Sequence, residues 1–155
     1  MMQKEKTVVL IKWGIVLILG LSLVLFFCPY IQLGGENFSL INLLKYISDN
    51  QAVIRGDAMF EVIFGFIIPA TLTFLSAIIM MFRASIPKCV ICVILNLLAT
   101  VVYYQFFSAT FLDISAKTVS FGLIGNVVIT HLGVVLPIVN IILVKKFNRN
   151  AQSKE

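Results

Sequence analysis

Four long apolar runs constrain this chain more than any other feature. They cover roughly residues 8–28, 59–82, 89–107 and 119–144. A helix needs about 20 residues to cross the hydrocarbon layer of a membrane, and each run is close to that length. The chain has 155 residues, 60% of them hydrophobic, and a mean hydropathy of +1.04. A soluble core of this size cannot enclose so much apolar surface. The expected fold is therefore an all-α integral membrane protein, an antiparallel four-helix transmembrane bundle. No Pro/Gly-rich linker divides it, so residues 1–155 are read as a single membrane domain. The lysines before the first run resemble the start of a signal peptide. That run is too long for an ordinary one and lacks a small-residue cleavage site, so an uncleaved first helix is expected.

The formal charge of +5 follows from topology. Nine of the twelve basic residues fall at the N-terminus, in the second connection and in the tail: Lys4, Lys6, Lys12, Arg83, Lys88, Lys145, Lys146, Arg149 and Lys154. Only Lys45, Arg55 and Lys117 fall in the other connections. Basic residues concentrate on the cytoplasmic side of membrane proteins. The expectation is a multi-pass cell-membrane protein with both termini cytoplasmic, its charge facing the lipid bilayer and not nucleic acid.

The outer loop, residues 29–58, contains one ordered-looking stretch. Leu40, Leu43, Leu44 and Ile47 recur at helical spacing, and Asn37 or Ser39 can cap the helix they define. It is too short to cross a bilayer. A short amphipathic helix is expected, lying on the membrane surface or over the mouth of the bundle.

Inside the runs, small and polar residues line up as stripes. The second has Glu61, Gly65, Pro69, Thr73, Ser76 and Met80; the third has Cys89, Cys92, Asn96, Thr100, Tyr103 and Phe107; the fourth has Gly122, Asn126, Thr130, Gly133, Pro137 and Asn140. Small residues let membrane helices approach, and Ser, Thr and Asn hydrogen-bond between them. These stripes predict the packing faces of spans two, three and four, and leave the first span the most lipid-exposed. Pro69 and Pro137 each remove a backbone hydrogen bond and predict a kink.

The candidate interaction or path residues are Glu61, Asn96, Asn126, Thr130, His131 and Asn140. Glu61 lies one turn inside the outer boundary, where a carboxylate is costly unless paired or solvated. His131 is the only histidine, near the middle of the last span. At about 100° per residue it lies on the far side of its helix from the Asn126/Thr130 row, which directs it toward lipid, another copy or a partner protein.

Cys89 and Cys92 form a C-x-x-C at the cytoplasmic start of the third span, while Cys28 stands alone at the opposite side. A membrane thiol oxidoreductase would need a second cysteine pair in an outer loop, and none is present. No phosphate loop, nucleophile triad or metal cluster is visible, so no catalytic residue, cofactor or metal is assigned. The expected function is non-enzymatic: a small polytopic membrane protein acting by protein–protein contacts, as an accessory subunit or an assembly or immunity-type factor. Its partner would be a membrane protein or a second copy, met through the final span. Two alternatives remain open. One is a small transporter or channel subunit with a polar path lined by spans two to four. The other is a thiol redox protein using Cys89 and Cys92.

Overall fold

The computed structural model describes residues 2–33, 35–50, 60, 62–82, 85–108 and 118–152. Its first helix, α1 (Met2–Val24), runs on through a 3-10 turn at Leu25–Phe27. Strands β1 (Pro29–Leu33) and β2 (Glu36–Ser39) lead into α2 (Leu40–Asp49). A π turn at Ile63–Ile67 opens α3 (Ile68–Met81). Then come α4 (Ile86–Ser108), β3 (Thr118–Val119) and α5 (Phe121–Gln152). Four segments are long and apolar enough to cross a membrane: Lys6–Phe27, Ile63–Met81, Ile86–Gln105 and Phe121–Lys146.

The two prolines act differently. Pro69 has no N–H to give Gly65, and its ring crowds that turn. The preceding turn widens to π geometry, with the Ile68 N–H bonding the Ile63 carbonyl. Pro137 sits inside α5 without ending it. A third proline, Pro87, belongs to the first turn of α4, where a missing N–H costs nothing. Hence α4 begins at Ile86, inside the stretch expected to be a connection.

α1 packs on α3 and α5, and α4 packs on the same two; α3 and α5 face across the diagonal. Within the apolar windows, 22% of the first span is buried against 39% of the second, which makes α1 the most outward-facing helix. Its buried residues among the described side chains, Ile15, Val16, Leu19 and Ser22, keep to one strip. The stripes read from spacing largely coincide with the buried faces: on α4, Cys89, Cys92, Asn96 and Tyr103 are buried and Thr100 is half-buried, while Glu61 and the Phe107 side chain lie outside the described residues. Gly65, Pro69, Thr73, Ser76 and Met80 are buried on one helix, and Gly122, Asn126, Thr130, Gly133, Pro137 and Asn140 on another.

One end of the bundle carries a cap with a component that helical spacing does not predict. β1 pairs antiparallel with β2 and, on its other edge, with β3, in the order β2-β1-β3. Gly35 takes φ +89, a conformation that side chains rarely adopt. Asn37 and Phe38 therefore belong to a strand, and the helix starts one residue after Ser39. The Ser39 hydroxyl caps it by accepting from the Asn42 N–H at 3.2 Å. The apolar face of α2 (Leu40, Leu43 and Ile47) is turned onto the bundle end. It joins Tyr30, Ile31, Val62, Tyr103 and Leu123 in one core cluster.

Candidate functional site

The polar residues of α3, α4 and α5 form a column along the bundle axis. Asn96, Asn126, Thr130 and Asn140 are all 0% exposed, as are Thr73 and Ser76. The column is built in successive levels.

At the capped end, Asn126 donates from Nδ2 to the Tyr30 hydroxyl at 3.0 Å. The Tyr30 and Tyr103 hydroxyls lie 3.4 Å apart. Burial pushes the Tyr30 phenol from 10.0 up to about 12, although its bonds to Tyr103 and Asn126 pull the other way. Tyr30 reaches this depth because Gly122 lets β1 approach α5. A Cβ there would lie 2.7 Å from the Pro29 carbonyl oxygen.

Next, the Thr73 and Thr130 hydroxyls meet at 3.0 Å. Thr130 gives its proton to the Asn126 carbonyl at 2.8 Å. The Thr73 proton then serves both Thr130 and the Pro69 carbonyl, 3.1 Å away. Each threonine satisfies its own helix while bridging to the other.

Halfway along the spans, Asn96 donates to Ser76 Oγ at 2.9 Å and to the Cys92 carbonyl at 2.8 Å. Ser76 passes its own proton to the Leu72 carbonyl at 3.1 Å. The Asn96 amide lies flat on Gly133, where any Cβ would collide with it. Toward the uncapped end, Asn140 Nδ2 approaches Cys89 Sγ at 3.7 Å, and Cys89 Sγ lies 4.0 Å from Met80 Sδ. The Cys92 thiol donates to the Ser76 carbonyl at 3.4 Å. Among the described residues, nothing donates a hydrogen bond to Oδ1 of Asn96, Asn126 or Asn140.

Thus four of the six candidate residues share one column. Glu61 lies outside the described residues. His131 stands apart, and the structure gives it a partner within the chain. Its Nδ1 lies 2.7 Å from the Val127 carbonyl and so carries the hydrogen; in the neutral ring, Nε2 then accepts from the Tyr104 hydroxyl at 3.3 Å. The two rings meet edge to face at 5.8 Å between centroids. Angular position alone directs His131 away from the bundle. The contact forms because helical side chains lean toward their own N-termini, and on facing helices Tyr104 and His131 lean toward each other. Tyr104 remains 58% exposed, among apolar neighbours such as Val101 and Val128.

Spacing did not single out Tyr30. Its signal was present as Pro-Tyr-Ile-Gln-Leu followed by Gly-Gly, a strand running into hairpin glycines. No protein family, curated protein or solved structure matches this chain.

Proposed function

We propose that the chain is a four-span antiparallel membrane bundle, with both termini cytoplasmic, that acts non-enzymatically by binding another membrane protein. Accessory subunits and assembly or immunity-type factors work in this way. Two pairings between neighbouring helices support the arrangement: Lys12 Nζ with the Met81 carbonyl at 2.9 Å, and Asn140 with Cys89. In each, an early residue of one element meets a late residue of another. The clustering of basic residues at the uncapped end supports a cytoplasmic placement for that end.

The observation that carries the functional reading is the Tyr104–His131 pair on the outer flank of α4 and α5. Most polar groups of the column are bonded inward, whereas Tyr104 presents a half-satisfied hydroxyl to the outside. Such a group is costly against hydrocarbon and favourable against a second helix with a donor. The test is photo-crosslinking in cells from Val101 and Val128, with Leu10 and Leu17 of α1 as controls. A discrete membrane-protein adduct is expected from the first pair only, and His131→Leu should abolish it. An adduct that survives His131→Leu, or equal labelling from α1, would sink the proposal.

The column itself suits a second role, a path for a small hydrogen-bonding solute lined by Asn96, Asn126 and Thr130. Its three amide oxygens without donors favour this reading. Solute flux in reconstituted vesicles that is unchanged by Asn96→Leu would remove it.

A further inference from the structure

We propose that Met80, Cys89 and Cys92 form a binding site for a soft monovalent d10 metal ion, physiologically Cu(I), with Asn140 as its outer hydrogen-bond partner. Among the described residues no cluster of three His, Cys, Asp or Glu can hold a metal. Here the third ligand is a thioether, and two thiols with a thioether are the donor set that selects Cu(I).

The geometry points the same way. Cys89 Sγ and Met80 Sδ are 4.0 Å apart, and both residues are at most 2% exposed. Three sulfurs bound at about 2.3 Å in a trigonal plane lie about 4 Å from one another, so the Cys89–Met80 spacing matches one edge of such a site. Cys92 follows one helical turn after Cys89 and packs in the same cluster. Its thiol bonds the carbonyl of Ser76, one turn before Met80 on α3.

Three features nearby would steady thiolate ligands. Asn140, fully buried, directs an amide hydrogen at Cys89 Sγ from 3.7 Å, the outer-shell contact that steadies a metal-bound sulfur. Cys89 lies in the first helical turns of α4, at the positive end of the helix dipole. Lys88 precedes it, and the Lys12 ammonium caps the Met81 carbonyl close by. Binding converts two thiols and Cu(I) into a complex of charge −1 and releases two protons to solvent. The helix end, with Lys88 and Lys12 at the same end of the bundle, would offset that charge. The ion has a short route, because Cys89 is one turn from the uncapped end.

The site is independent of any partner at His131. It is tested on the purified full-length chain in detergent, kept anaerobic and titrated with Cu(I) against a chromophoric Cu(I) chelator. One Cu(I) per chain is expected, with an X-ray absorption spectrum that shows sulfur ligands only. Asn140→Leu should weaken binding by about 10–100-fold, and Cys89→Ser or Cys92→Ser by more than about 100-fold. Cys28→Ser should change nothing. Should a serine variant fail to fold, Met80→Leu, which keeps the core volume, must still weaken binding, and the wild-type spectrum decides independently. No competition for Cu(I) by the wild-type chain, nitrogen or oxygen ligands, or binding that survives loss of both Cys89 and Cys92 would each overturn the proposal.

Discussion

At the residue scale, the column holds together by close approach as much as by hydrogen bonding. Gly133 is the clearest case, because its missing side chain is the space that the Asn96 amide occupies. Gly133→Ala forces either that amide or α5 to shift. Overpacking of this kind costs about 1–3 kcal/mol, to be read as a lower denaturation midpoint in detergent micelles. An unchanged midpoint would mean that α4 and α5 are further apart than described. The Thr73–Thr130 bridge should contribute less. A double-mutant cycle with Thr73→Val and Thr130→Val should give a coupling of about 0.6 kcal/mol, the usual size for hydrogen bonds between membrane helices. Zero coupling would mean that the hydroxyls bond only to their own helices.

At the element scale, the cap is where spacing alone misleads. The stripes on α3, α4 and α5 were legible because a helix turns its sequence into faces at a fixed angle, and Thr73, Asn96 and Asn126 all fall inward as that rule demands. The same rule located α2 and left Asn37 and Ser39 both open as its cap, of which Ser39 is the one used. It carries no information about a strand whose partners, Glu36–Ser39 and Thr118–Val119, are set by chain connectivity. His131 stands on the outer flank, the side its angular position gives it, but angular position alone did not show its contact with Tyr104 on the next helix. The cap makes two predictions of its own. Ser39→Ala should destabilise α2 by about 1 kcal/mol, seen as faster hydrogen exchange confined to residues 40–49. Tyr30 should make the cap alkali-sensitive. Its proton is held more tightly when folded, so the unfolded chain binds fewer protons above its ordinary value of 10.0. Stability is therefore full below that pH and falls toward about 12, by roughly 3 kcal/mol in all. Tyrosinate absorbance rising in step with opening of the cap would show it. A cap whose exchange is flat across that window would not fit.

At the scale of the whole molecule, the two groups of polar residues that carry the proposals lie in different places. The larger is enclosed, in a column that runs from Tyr30 at the capped end to Cys89 and Asn140 near the other. The smaller, Tyr104 with His131, faces outward. This division follows from burial. A polar group in lipid needs a partner, and three striped helices around one axis supply partners to one another. The α1 helix, with Ser22 as its only buried polar residue among the described side chains, completes the wall. Both the protein-contact proposal and the Cu(I) site depend on this arrangement, since each assigns a role to residues by the side of the bundle on which they fall. The most direct test of the arrangement is disulfide formation in native membranes between Thr73→Cys and Thr130→Cys, whose side-chain oxygens lie 3.0 Å apart. The three native cysteines are replaced by alanine, and iodine, which partitions into lipid, serves as the oxidant. The account predicts a rapid intramolecular crosslink for this pair and none for the outward pair Leu75→Cys with Val128→Cys. A crosslink in the outward pair, or its absence in the inward one, would contradict it.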